Sequence, residues 1–281
     1  MTSLPRALGR MVVVLALFTA ACGGGGAGGS VARGVHEQSI SDPTTQDIRV
    51  FRPDGKGPWP VVMAYHGLGG NAQQMTELAM RLAAAGLLVF APTVRTDVST
   101  QQGIVDAAND SECAYRYART VAPGFGGDLH LPVTFVGWSF GANFAVQGGL
   151  DEQLDPSRQF ISCFTDVPRP DVIVALDGCH YEFQGQPSTL LDASQWSNPH
   201  VHLVLAAGAD DTVCPAWQSE KLSAELRTRG YAVKYEVLKG ADHFAPVFLA
   251  AAGNGTVAAP HSAAGDRTVQ LITAAVADSE G

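Results

Sequence analysis

"VTFVGWSFGANFAVQGG", residues 133–149, places Ser139 between Gly137 and Gly141 at a change of pattern. The residues before the serine are β-branched and apolar, which suits a buried strand. Those after it are mostly small and suit a helix. Gly-x-Ser-x-Gly at a sharp strand-to-helix turn is the nucleophile-elbow pattern. Its requirement is steric. The turn forces the serine into a strained backbone conformation that lifts its hydroxyl clear of the sheet. The residues two before and two after it approach closely, and glycine avoids the clash. The new helix also aims its N-terminus at the place where negative charge would develop.

Outward from this turn, strand-like and helix-like segments alternate. "DIRVFRP" (47–53) alternates apolar and polar residues, as a half-buried strand does. "WPVVMAYHG" (59–67) and "LLVFAPTV" (87–94) are continuous apolar runs, expected of strands buried on both faces. Between them, residues 72–86 have helical spacing and end in Gly86. Residues 102–122 read as a second helix and 140–150 as a third. Strands follow at 171–177 and 201–208, then a helix at 215–229 opened by Pro215, a strand at 232–240 and a last helix over about 264–277. This order predicts an α/β fold: a mostly parallel central sheet with helices on both faces and no large cap domain.

The chain has 281 residues, 46% hydrophobic and 16% charged, which is a globular composition. Its formal net charge of −9 argues against a nucleic-acid partner, because phosphate binding needs a basic face. Residues 1–21 read as a signal peptide: Arg6 and Arg10, the apolar run "MVVVLALF" (11–18), then small residues before Cys22. The apolar run is too short to span a bilayer. The cysteine after small residues resembles a bacterial lipobox, which would make Cys22 a lipidated N-terminus; the alternative is an ordinary signal peptide. Residues 22–44, with "GGGGAGGS" at 23–30, then form a tether, and 45–281 form the folded domain. The expected location is extracytoplasmic, with contact to the membrane only through the anchor, and the expected state is a monomer.

A serine hydroxyl needs a base, and in this fold the chain order is serine, acid, histidine. That order is present. "LAAGADDTVCP" (205–215) puts Asp210 and Asp211 after a strand, and "LKGADHFAP" (238–246) puts His243 after the last one. Both loops lie at the carboxyl ends of parallel strands, where open α/β sheets build their sites. Asp177, at the end of another strand, is a third candidate acid. Asp242 reads as a turn cap. An oxyanion needs backbone N–H donors. The amide of Phe140 is one candidate. Leu68, in the loop "AYHGLGGN" (64–71), is the other. Trp138, His180, Tyr181 and Phe244 are the candidate pocket residues, with His66, which reads as a brace for its loop rather than a catalyst. His200 and His202 share a spacing that could hold metal but lie at the opposite end of the sheet. No metal or organic cofactor is implied.

With Cys22 lipidated, Cys113, Cys163, Cys179 and Cys214 remain, an even number in an oxidising compartment. Three pairings are open. Cys179–Cys214 with Cys113–Cys163 is favoured, because Cys179 and Cys214 follow adjacent strands at the site end and a bridge there would pin the acid-bearing loop.

These residues resemble the α/β-hydrolase superfamily. Within it, they are similar to cutinase-like bacterial polyester hydrolases and to dienelactone-hydrolase and chlorophyllase-like esterases. "GWSFG", "DDTVCP" and "DHFAP" resemble the elbow, acid and base loops of the polyester hydrolases, and the resemblance implies Asp211 as the acid and His243 as the base. Two departures point away from aromatic polyesters: "HGLGGN" stands where those enzymes carry an aromatic residue, and Cys179 and His180 stand where they carry a tryptophan. Dienelactone hydrolases use a cysteine nucleophile where this chain has Ser139. The resemblance implies a serine hydrolase cleaving small or polymeric carboxylic esters through an acyl-enzyme. An acyltransferase with the same residues, or a non-catalytic cell-surface binding protein, are the rival readings.

Overall fold

The structure is a computed structural model that describes residues 34–41, 47–97, 100–151, 167–188, 190–252 and 255–280. The expected signal peptide, Cys22 and Cys163 lie outside the described residues. Eight strands form the central sheet: β1 (Val35–Ser41), β2 (Asp47–Pro53), β3 (Val61–Tyr65), β4 (Leu88–Pro92), β5 (Val133–Trp138), β6 (Val172–Leu176), β9 (His202–Gly208) and β10 (Val233–Leu238). The spatial order is β1-β2-β4-β3-β5-β6-β9-β10. β2 runs antiparallel to β1 and β4, and the pairs from β4 to β10 are parallel. Two short hairpins lie outside this sheet, β7 (Glu182–Phe183) with β8 (Gln186–Pro187) and β11 (Leu249–Ala252) with β12 (Gly255–Ala258).

The apolar runs of the parallel strands divide by the period of two between faces. Val62, Ala64, Val136, Trp138, Val174 and Leu176 join one core, where α1 (Thr76–Ala84) and α5 (Ala263–Ser279) cover the sheet. Val61, Met63, Tyr65, Phe135, Ile173 and Ala175 join the other, covered by α2 (Gln101–Val121), α3 (Phe140–Leu150) and α4 (Trp217–Thr228). Helix ends follow local chemistry. Thr100 and Ser262 each accept a backbone N–H at the start of α2 and α5. Gly86, at φ 102°, ends α1 with Leu87 N–H donating to Leu82 O and Gly86 N–H to Ala83 O, a Schellman closure.

One boundary differs from the sequence reading. The stretch Val35–Ser41 falls within the expected 22–44 tether, yet it is an edge strand paired with β2 over its whole length. An edge strand buries little and keeps polar side chains, so it carries only a weak apolar signal. Among the described residues, no helix is long and apolar enough to cross a membrane.

The chain visits β4 on one side of β3 and then β5 on the other. Such a switch point opens a crevice at the carboxyl ends of the strands. The loops after β3, β5, β6, β9 and β10 all emerge at that edge.

Candidate active site

The elbow forms where β5 turns into α3. Ser139 has φ 56° and ψ −119°, and its N–H donates to Leu176 O on the neighbouring strand at 2.8 Å. Such a conformation costs a non-glycine residue about 1–3 kcal/mol. The glycines are required by space. A Cβ on Gly137 would sit 2.1 Å from Gly141 O, and one on Gly141 would sit 2.3 Å from Tyr65 O. All of these neighbours are backbone and cannot step aside.

His243 lies in the loop after β10, and its Nε2 is 2.9 Å from Ser139 Oγ. Its Nδ1 is 2.8 Å from Asp211 Oδ2. Asp211, in the loop after β9, uses its other oxygen to accept N–H groups from Val213 at 2.7 Å and Cys214 at 2.9 Å. All three side chains are buried. Asp210 is exposed and only its backbone engages this region, donating to Ala241 O. Asp242 accepts the N–H groups of Phe244 and Ala245 and caps the turn that carries His243. Asp177 is fully buried behind the pair, with Oδ1 accepting the Gly208 N–H at 2.6 Å.

The remaining sequence candidates divide into two groups. Leu68, half-buried, follows Gly67, whose Cβ position would be 3.3 Å from Ser139 Cβ; the loop after β3 therefore abuts the serine. Phe140 begins α3, so its N–H belongs to the set that an α-helix leaves without an intrahelical partner. Phe244 packs beside His243, ring centroids 5.3 Å apart. Tyr181 is half-buried; its hydroxyl donates to Glu225 and its ring stacks on Trp217.

Three expected pocket residues are bracing groups. His66 is wholly buried: Nδ1 donates to Gly67 O at 2.8 Å, and Nε2 accepts the Val94 N–H at 3.0 Å. Burial lowers its pKa and keeps it neutral. Trp138 points into the core beneath the site, where its Nε1–H donates to His243 O at 2.7 Å. His180 is buried against Asn143 Oδ1 at 2.8 Å, and burial lowers its pKa to about 3. Residues missed in the sequence include Phe144, whose ring meets Phe140 edge-on at 4.6 Å, and Leu190, which packs on the same small cluster with Leu68 and Ala107. The four-residue spacing of Phe140 and Phe144 on one helix face was the available signal for the first.

Cys179 and Cys214 form a disulfide, Cα atoms 4.8 Å apart, that ties the loop after β6 to the loop holding Asp211. Cys113 is buried on α2; its expected pairing involves Cys163, outside the described residues. His200 and His202 are exposed. Among the described residues, Asp177, Asp211 and His243 come near metal-ligand spacing. Both His243 nitrogens already face Asp211 and Ser139, so a cation would have to displace one of those bonds. A cavity of about 460 Å³ lies against Gly70, Asn71, Gln74 and Leu249, and its walls include none of Ser139, Asp211 or His243.

No protein-family model and no curated protein matches the sequence. Solved structures match the fold over most of the chain. Esterase B from Lactobacillus rhamnosis, with a C6–C4 inhibitor, superposes with a TM-score of 0.70 at 14% identity, covering 88% of this chain and 87% of that one. The chain has the α/β-hydrolase fold. A Klebsiella pneumoniae protein assigned as a dienelactone hydrolase shares this α/β-hydrolase architecture with a TM-score of 0.61 at 18% identity, over 87% and 99% of the two chains. So does a hyperthermophilic esterase from Pyrobaculum calidifontis, with a TM-score of 0.60 at 17% identity, over 87% and 85%.

Proposed function

We propose that the protein is a serine hydrolase that cleaves carboxylic esters through an acyl-enzyme. The observation that carries this reading is the continuous hydrogen-bonded chain from Ser139 Oγ through His243 to Asp211 at the elbow. The esterases that share its fold add support. His243 Nε2 takes the Ser139 proton as Oγ attacks the ester carbonyl, and Asp211 holds the imidazole in the tautomer that can accept it. The N–H groups of Phe140 and Leu68 receive the oxyanion. Collapse of the tetrahedral intermediate breaks the ester C–O bond, and the alkoxide leaves with the proton from His243. Water, deprotonated by His243, then releases the acid and restores Ser139. Leu68, Phe140, Phe144 and Leu190 make an apolar wall suited to an acyl chain.

The same reading places the enzyme outside the cytoplasm, held by lipid on Cys22. The Cys179–Cys214 disulfide supports an oxidising compartment. The test is hydrolysis of p-nitrophenyl esters by the purified protein beside Ser139→Ala. A loss of roughly 10³-fold or more in kcat/KM is expected. Equal activity in both proteins, or none in either, overturns the reading.

A further inference from the structure

We propose that Asp177 is a positioning residue: a neutral carboxylic acid whose Oδ2 proton is donated to the Asp211 carboxylate, holding it against His243. This rests on reading Ser139, His243 and Asp211 as the reacting set. Asp177 follows β6, and its N–H donates to Ala206 O on β9 at 2.9 Å. It is one of only four non-glycine residues at positive φ among the described residues, and Ser139 is another. Its side chain has no exposed surface. Oδ1 accepts the Gly208 N–H, but no donor reaches the buried Oδ2. An oxygen of Asp177, one of Asp211 and a nitrogen of His243 lie within 4.8 Å of one another.

A buried carboxylate oxygen without a donor is costly, and two adjacent carboxylates cannot both stay ionised. The groups that face Asp177 sharpen this. They are Asp211 after β9, Asp242 and His243 after β10, and Tyr235 on β10. Burial, reinforced by the Asp211 charge, pushes the Asp177 carboxyl well above the usual range. Asp211 carries the ionised role, since it takes two backbone N–H groups besides His243. A proton on Asp177 turns the orphaned oxygen into a donor and leaves the pair one negative charge.

Asparagine at 177 copies the neutral donor, because its amide N–H can reach Asp211 while its carbonyl accepts from Gly208. It also tolerates positive φ. The test compares Asp177→Asn, Asp177→Ala and Asp211→Asn on p-nitrophenyl esters, with infrared spectra of the resting proteins near neutral pH. Asp177→Ala is expected to lower kcat/KM by about tenfold or more, and Asp177→Asn to recover most of that loss. Asp211→Asn should lose roughly 10³-fold or more. The wild type and Ser139→Ala should both show a protonated-carboxyl band that Asp177→Asn lacks. If Asp177→Asn falls as far as Asp211→Asn, or if no such band is present, the proposal is wrong. If the wild type cleaves no ester, the ester reading fails, and the infrared comparison still decides whether Asp177 holds the proton.

Discussion

The backbone N–H of Cys214 donates to Asp211 Oδ1 at 2.9 Å, so the residue that closes the disulfide to Cys179 also holds the carboxylate facing His243. The bridge spans 35 residues of sequence, a closure worth about 3–4 kcal/mol. Replacing Cys179 and Cys214 together by alanine should lower the unfolding temperature by roughly 8–15 °C. It should also lower kcat more than KM, because Asp211, the proposed acid, loses its support while the proposed acyl wall is untouched. Calorimetry and steady-state kinetics check both; an unchanged kcat would show that the loop holds Asp211 without the bridge.

Ser139 carries backbone strain that only a side chain at that position creates. Ser139→Gly and Ser139→Ala both remove the hydroxyl, but only glycine relieves the strain. The glycine variant should therefore be more stable than the alanine variant by about 1–2 kcal/mol in urea unfolding. Neither should hydrolyse esters. Equal stabilities would mean that the turn is relaxed.

Phe144 backs Phe140 in the small apolar cluster beside the serine. Phe144→Ala should cost about 3 kcal/mol of stability and open space in the proposed acyl wall. Activity across acetyl to octanoyl esters should shift toward the longer chains. A profile that keeps its shape would place the acyl group elsewhere.

Stability should respond to pH with two opposite slopes. Burial lowers the pKa of His66, and that of His180 to about 3, so the unfolded chain binds protons that the native state refuses. Their stabilising contribution is full above about pH 6.5 and is lost as pH falls toward the native values. Asp177 works the other way: the native state keeps a proton that the unfolded chain gives up, so its contribution fades as pH rises from the ordinary carboxylate range through the raised native pKa. His180→Gln should flatten the rise of the unfolding midpoint with pH, and Asp177→Asn should flatten its fall. Slopes that match the wild type would refute both assignments.

Much of this fold was legible because parallel strands buried on both faces are written as unbroken apolar runs, such as Val61–Tyr65 and Leu88–Pro92. The loops bearing Asp211 and His243 could be placed from the strands before them. β1 was hidden because an edge strand with only Val35 and Ile40 apolar gives little signal. Side-chain direction was the other gap. Position next to a candidate site loop put Trp138 and His180 in a pocket, whereas the alternation of β5 already sends Trp138 to the same face as Val136, beneath the site. Whether His66 and His180 aim outward or into the backbone depends on partners such as Val94 and Asn143, far away in the sequence.

The bond from the Trp138 indole to His243 O joins residues 105 apart in the chain, one beside the serine and one the residue facing it. The indole proton is buried and cannot trade with solvent water until the loop bearing His243 lifts away. Its hydrogen-exchange rate therefore serves as a clock, timing how often the resting molecule takes itself apart at the one place where it must be whole.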